Sequence, residues 1–134
     1  MPDKTYVNVD TIAIKDSFDA KYKSSLPKRI GTAFEKAIDR SSKLTTKEPS
    51  DKKAEGLYLT GSLSLKRTDK GVSAKLSMVL ATWPKKSMFG TANSEASTEV
   101  GNPNKIDKDV DAVIDALLDD LQSKVVKEFE KRAK

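Results

Sequence analysis

Hydrophobic residues follow two different spacings along the chain, and each spacing predicts a different kind of element. Apolar and polar positions alternate over residues 57–65 and again over residues 72–80, which is typical of strands with one buried face. A polar turn that ends in Gly71 separates these two runs, so they are predicted to form an antiparallel hairpin. The predicted core positions are Leu57, Leu59, Gly61, Leu63 and Leu65, then Val72, Ala74, Leu76, Met78 and Leu80.

Three weaker strand patterns flank the hairpin. Residues 6–15 begin with alternating valines and continue into an Ile-Ala-Ile run, which predicts a strand that is buried in its second half. Residues 44–46 predict a short strand, and the polar residues 48–55 predict a loop. Residues 88–100 carry small side chains on one parity, so we expect an edge strand in which Glu95 and Glu99 oppose further pairing.

Apolar residues at three- and four-residue spacings predict two helices. The first covers residues 26–38 and follows a polar loop at residues 16–23, with Ser24 or Ser25 as its N-cap and Pro27 near its first turn. The second covers residues 105–132, with Asn104 or Asp107 as its cap. Acidic residues at the start of this second helix and basic residues at its end complement the helix dipole.

The order of these elements predicts an α+β fold in two layers. A strand, a helix, a short strand, a three-strand meander and a second helix fit one domain over residues 1–134. We expect a mixed, mostly antiparallel sheet of four to five strands, with two amphipathic helices packed on one face.

The composition excludes several kinds of chemistry. The chain has no cysteine and no histidine, which excludes disulfides, thiolate metal sites, cysteine nucleophiles and a serine–histidine–aspartate triad. Acids at positions 107, 109 and 111 match the start of a calcium loop, but Ala112 and Leu118 stand where that loop requires glycine and glutamate. The acids Asp115, Asp119 and Asp120 are interpreted as solvent contacts. We therefore expect no metal, no cofactor and no enzymatic activity.

The charge is basic overall and unevenly distributed. Lysine and arginine number 25 against 20 acidic residues, and residues 1–106 carry 19 basic and 12 acidic side chains, a net charge of +7. A basic body can attract nucleic acid, so a nucleic-acid-binding module is our alternative function. Lysine outnumbers arginine heavily, and lysine is poorer at bidentate recognition, so we interpret the excess mainly as solubility.

Residues 82–89 are the main candidate binding segment. Trp83, Lys85, Lys86, Met88 and Phe89 combine aromatic, basic and apolar side chains, which is typical of protein-binding hot spots. The alternative is that Trp83 covers the open end of the sheet while Met88 and Phe89 join the core. A second candidate surface is the polar sheet face, formed by Tyr58, Thr60, Ser62, Ser64, Ser73, Lys75 and Ser77.

The chain resembles certain bacterial envelope domains. In that group a strand and a helix precede a strand that resembles the short pattern xxYxVxGxV, to which Tyr58, Leu59, Gly61 and Leu63 are matched here. The group comprises the amino-terminal domain of TolB, the lipoprotein activators of penicillin-binding proteins, and the periplasmic domain of the curli secretion channel. The chain has residues 83–86 where the group carries an Asp-x-x-x-Gly turn. The resemblance implies a non-enzymatic module that docks other proteins, on a mixed sheet with two helices packed on it.

The expected cellular compartment depends on this resemblance and on the length of the apolar runs. No run reaches the ~18–20 apolar residues that a membrane-spanning helix needs, and residues 1–4 lack the apolar core of a signal peptide. The protein is therefore expected to be cytoplasmic or to have lost a targeting segment. With the resemblance, we expect a periplasmic or outer-membrane-anchored docking module whose partner is another envelope protein.

Overall fold

The computed structural model describes residues 4–50, 55–68, 71–99 and 106–133, and confirms the α+β class. Two helices pack against a sheet of six strands, one or two more than expected, because the predicted first strand is split in two. In chain order the elements are β1 (Thr5–Val9), β2 (Ala13–Asp16), α1 (Ala20–Asp39), β3 (Leu44–Thr45), β4 (Gly56–Arg67), β5 (Gly71–Trp83), β6 (Met88–Glu99) and α2 (Ile106–Arg132).

The sheet has the strand order β3-β1-β4-β5-β6, and β2 also pairs with β4. β1 pairs in parallel with both β3 and β4, and β2 pairs in parallel with β4. The three long strands form an antiparallel meander, as predicted. The hairpin closes where the Thr68 N–H donates to the Gly71 carbonyl at 2.7 Å and the Gly71 N–H donates back at 3.3 Å. Asp69 and Lys70, which complete the predicted turn, lie outside the described residues.

The split between β1 and β2 comes from a change in which positions face inward. Val7 is fully buried in β1, and Val9 packs against the core on the same parity. Beyond the split, Ile12 is buried and Ile14 packs against the core, so the inward parity has shifted by one residue. A regular strand keeps its alternation, so the ladder must break between these pairs.

The core lies between the two helices and one face of the sheet. The predicted core positions of the hairpin strands are buried, and the apolar stripes of both helices are buried against them. Gly61 sits at a close approach inside this core, because a methyl group there would lie 2.5 Å from the Met78 sulfur and 2.6 Å from the Ser77 carbonyl oxygen. The helix-free face of the sheet is therefore the face that carries Tyr58 and the hydroxyl-bearing residues.

The first helix begins earlier than predicted, and the assignment of Ser24 or Ser25 as its cap is wrong. Asp19 is the N-cap, and its carboxylate accepts the Lys21 N–H at 3.0 Å. Buried Tyr22 extends the apolar stripe by one turn, which places both serines inside the helix, where their hydroxyls donate to the Lys21 carbonyl. Pro27 consequently lies inside the helix and has no N–H for the carbonyl four residues earlier.

The second helix begins at Ile106, so Asp107 lies in its first turn and is not its cap. Asn104, the other predicted cap, lies outside the described residues. The predicted edge strand is confirmed as β6, which ends the strand order. The Glu95 carboxylate lies 3.6 Å from the Lys75 ammonium of β5, whereas the side chain of Glu99 lies outside the described part of the chain.

Opposite charges join the two helices. The Arg29 guanidinium of α1 contacts Asp111 at 2.5 Å and Asp115 at 2.6 Å, one turn apart on α2. Lys21 contacts Asp107 at 2.8 Å. The Asp115 side chain is 65% exposed, as predicted for a solvent contact, but its carboxylate also binds a cation of the neighbouring helix. Asp120 also has a partner, in Lys124 one turn later.

Candidate functional site

The connection between β5 and β6 turns back tightly onto the end of the sheet. The Lys86 N–H donates to the Thr82 carbonyl at 2.8 Å, and the Thr82 N–H donates to the Ser87 carbonyl at 3.0 Å. The Ser87 N–H also donates to the Thr82 hydroxyl at 3.2 Å. The Trp83–Pro84 peptide bond is cis, and Lys86 has a φ of 58°. The turn is thus held by backbone hydrogen bonds on both sides.

Three aromatic side chains from three strands meet beneath this turn, and we call Tyr6, Tyr58 and Trp83 the aromatic cluster. Trp83 stacks on Tyr58 with ring centroids 6.0 Å apart and 21° between planes, and meets Tyr6 edge-on at 6.2 Å. The Lys86 ammonium lies 4.8 Å from the centroid of Tyr58 and 5.8 Å from that of Trp83. Both tyrosines are 8% exposed, although they lie on the helix-free face.

Polar contacts fix the two tyrosines in place. The Tyr58 hydroxyl donates to the Asp10 carboxylate, and the Asn8 side-chain N–H donates to the Tyr6 hydroxyl at 2.8 Å. The hydrogen bond from Tyr58, followed by one from the Thr11 backbone, lowers the pKa of Asp10. Burial, with the neighbouring carboxylate, raises the pKa of Tyr58. The pair therefore stays a phenol bonded to a carboxylate at neutral pH.

The predicted site residues fall on two sides of the sheet. Trp83 is half-buried in the aromatic cluster with Lys86 above it, whereas Lys85 is exposed. Met88 is 65% exposed and lies opposite Ala81, on the helix-free face. Phe89 instead faces the helices, where its ring meets Phe129 at 6.2 Å and the Arg132 guanidinium lies 4.2 Å from its centroid.

The described residues thus bring four of the five candidates to one surface, which we call the docking patch: Trp83, Lys85, Lys86 and Met88. Met88 is the large apolar side chain that stands exposed in the described part of the chain. The sequence interpretation missed the contribution of Tyr6, Asn8 and Asp10. The signal was present, because these residues occupy the parity opposite to the inward-facing valines of β1.

The shallow hollow beside Trp83 is small. It measures about 190 Å³ and is lined by Glu55, Gly56, Thr82, Trp83, Pro84 and Lys85. Small-molecule sites usually measure ~300–1,000 Å³, so the patch suits a surface contact better than an enclosed ligand. Among the described residues, no acidic groups gather in the way that would hold a metal ion. Neither helix in that part of the chain has the length and apolar content to cross a membrane.

A wider groove runs between α1 and α2. It measures about 640 Å³, and its basic lining residues are Lys28, Arg29, Lys36 and Arg40. Of these cations, Arg29 also binds two carboxylates of α2. The groove lacks the aromatic side chains that accompany the cations of the docking patch.

Comparisons with known proteins show a shared bacterial fold. No family model and no curated protein matches the chain. A hypothetical protein from Chlamydia trachomatis matches with a TM-score of 0.66 and 12% identity over 92% of this chain and 97% of that one. A minor lipoprotein from Acinetobacter baumannii matches with a TM-score of 0.58 and 10% identity over 97% of this chain and 95% of that one. At these identities the likeness shows the fold alone.

This fold likeness agrees with part of the sequence resemblance. The two neighbours are bacterial proteins, one hypothetical and one a lipoprotein, which is consistent with a fold found in bacterial envelope domains. The finer resemblance to the TolB domain, to the lipoprotein activators and to the curli channel domain stays a prediction. In this chain the two helices cover one face of the sheet and leave the other face open.

Proposed function

We propose that this chain is a non-enzymatic docking module of the bacterial envelope, periplasmic or anchored to the outer membrane, which binds another protein through the docking patch. The observation that supports it most is the position of Met88, which stands 65% exposed beside the aromatic cluster on the helix-free face. The lipoprotein among the fold neighbours supports an envelope location.

The docking patch has the features of a preformed binding surface. Its aromatic base is held by ring contacts and by the Tyr58–Asp10 hydrogen bond, so little side-chain freedom is lost when a partner binds. Met88 offers an adaptable apolar anchor, and Lys85, three residues earlier in the chain, adds an exposed cation. This chemistry favours a partner that presents an apolar side chain flanked by acidic residues.

The ionisable groups near the patch are hydrogen-bonded or packed against neighbouring side chains, which supports a role without catalysis. The Asp10 carboxylate accepts the Tyr58 hydroxyl, and its lowered pKa makes it a weak base. The Lys86 ammonium lies over two aromatic rings. A general acid or base needs a pKa close to the working pH, and this carboxylate is shifted away from it.

Site-specific crosslinking tests the proposal, because the chain has no cysteine of its own. Met88→Cys and Ser42→Cys would each carry the same photo-crosslinker, and Ser42 is an exposed residue that follows α1. We expect envelope extracts to give a protein adduct at position 88 but not at position 42, and the purified partner to bind the unlabelled wild-type protein. Equal adducts at both positions, or none at position 88, would exclude the patch as the docking surface.

A charge-matched pair of variants then tests the chemistry of the partner. Lys85→Glu with Met88→Glu should weaken binding of that purified partner at least about tenfold, since hot-spot residues contribute ~2 kcal/mol or more. Ser42→Glu with Lys43→Glu makes the same change in charge at exposed positions between α1 and β3, and should leave binding unchanged. If both pairs of substitutions weaken binding equally, the partner is held by nonspecific electrostatic attraction and not by the docking patch.

The nucleic-acid alternative makes a different prediction. Single-stranded nucleic acids stack their bases on exposed aromatic rings. Both tyrosines of the cluster are 8% exposed, so within the aromatic cluster Trp83 alone is accessible for stacking, and it is half-buried. We therefore expect oligonucleotides to bind weakly even at low salt. Tight binding that falls steeply with added salt would favour the nucleic-acid function over protein docking.

A further inference from the structure

We propose that the outer edge of β6 pairs with β6 of a second copy of this chain, in antiparallel register, to form one continuous sheet. β6 is 12 residues long and pairs with β5 on one side, and among the described residues no strand pairs with its other side. The opposite end of the sheet finishes in β3, which has two residues. A long unpaired edge presents a row of backbone donors and acceptors that another strand can bind.

Of the two glutamates predicted to oppose pairing, Glu95 lies near the middle of β6 and Glu99 lies at its end. The helix-free side carries Thr91, Asn93, Glu95 and Ser97, and the helix side carries Gly90, Ala92, Ser94 and Ala96. These residues include no proline and a single charge. That charge, the Glu95 carboxylate, lies 3.6 Å from the Lys75 ammonium within the same sheet, which partly balances it. The small side chains allow a second strand to approach closely.

The Glu95 carboxylate also limits the register between the two β6 strands to two arrangements. Residues directly opposite each other in a sheet point to the same side, so the twofold axis of the dimer places one residue of β6 opposite the same residue of the second copy. Near the middle of β6 that residue is Asn93, Ser94 or Glu95. The axis at Glu95 would place two carboxylates opposite each other, which is unfavourable. The axes at Asn93 and Ser94 place Glu95 opposite Thr91 or Asn93 of the second copy instead. Both leave polar, uncharged neighbours for the carboxylate.

Sedimentation velocity tests the pairing with the purified full chain. We expect the wild-type protein to form dimers as its concentration rises from the micromolar to the millimolar range. Asn93→Glu should weaken the dimer about tenfold, because the new carboxylate lies opposite Glu95 or opposite itself in the two allowed registers. Ser77→Glu adds the same charge one strand inward, opposite Asn93, and should leave the dimer unchanged.

Single cysteines then report the axis directly. Ser94→Cys or Asn93→Cys should form an intermolecular disulfide, according to which residue lies opposite its own copy, while Ser77→Cys, one strand inward, should not. A wild-type protein that stays monomeric at all concentrations would overturn the proposal. A dimer that Asn93→Glu does not weaken, or that crosslinks through position 77 as readily as through 93 and 94, would overturn it as well. Neither result bears on the docking patch, which is tested at other residues.

Discussion

Replacing Trp83 with alanine tests whether the aromatic cluster is a fixed part of the fold. The indole stacks on Tyr58 with centroids 6.0 Å apart and meets Tyr6 edge-on at 6.2 Å. The Lys86 ammonium lies 5.8 Å from its centroid. Alanine removes all three contacts at once, and also opens the helix-free side of the two tyrosines to water.

The contacts set the size of the effect. Each ring pair contributes ~0.5–1.5 kcal/mol beyond the burial of area, and an exposed cation–π contact contributes ~0.5–1 kcal/mol. The sum predicts that Trp83→Ala lowers the free energy of unfolding by about 1.5–4 kcal/mol. For a chain of this length, that loss lowers the melting temperature by about 5–14 °C. Trp83→Phe keeps a ring over Tyr58, so we expect it to cost about 1 kcal/mol.

Urea denaturation followed by far-ultraviolet circular dichroism measures these differences without the tryptophan signal. Met88→Ala is the control, because Met88 is 65% exposed and should change stability by less than about 0.5 kcal/mol. If Trp83→Ala is as stable as the wild-type protein, the indole is not stacked in solution and the docking patch is not preformed. A loss in the alanine variant that the phenylalanine variant restores would support the stack.

Three further predictions concern the core, the pH dependence and the helix pair. Gly61→Ala should cost about 1–3 kcal/mol in urea denaturation, because the added methyl would lie 2.6 Å from the Ser77 carbonyl oxygen. Asp10→Asn should be less stable than the wild-type protein at neutral pH. That difference should begin to shrink as the pH falls below about 4, the pKa of the unfolded chain, and should be lost as the pH falls through the lower pKa that Asp10 has in the fold. A double-mutant cycle of Arg29→Ala with Asp115→Ala should give a coupling of ~0.2–1 kcal/mol that decreases with salt.

Each of these predictions has a clear contrary result. A Gly61→Ala protein of unchanged stability would show that β4 and β5 are further apart than the structure places them. A difference between wild type and Asp10→Asn that persists at low pH would mean that the carboxylate charge is not what stabilises the cluster. Strictly additive effects of the Arg29 and Asp115 substitutions would mean that the two helices are not joined by this ion pair.

The regular elements could be predicted because their patterns are local and long. The alternation that continues through Leu57–Leu65 and Val72–Leu80 has one interpretation, since only a strand buries every second residue. The first residue of each helix was harder to predict, because several nearby residues can serve as the N-cap. Two serines before Pro27 match a helix start as well as Asp19 does. The structure places the cap five or six residues earlier, where Tyr22 packs against Phe18 with centroids 5.4 Å apart.

The site was predictable only in part, because it is assembled from three strands. The composition of residues 82–89 indicated the turn, but the base of the patch depends on register. Asn8 lies opposite Tyr58, and Gly56 lies opposite Trp83, which sets Tyr6, Tyr58 and Trp83 side by side. A single sequence does not contain that register between distant segments. Phe89 shows the same limit, since an irregular pairing between Leu80 and Ala81 turns it to the helix side.

Met88 of the docking patch lies on β6, the strand whose edge is proposed to pair, and this arrangement has a consequence for binding. Met88 begins β6, whereas the two allowed axes, at Asn93 and Ser94, lie five and six residues away. At ~3.4 Å per residue, antiparallel pairing would place the two Met88 residues about 34–41 Å apart, at opposite ends of the joined strands. Such a dimer would present two patches on one continuous helix-free face. It would then bind a repeated partner more tightly than a monomer does, because the second contact is intramolecular.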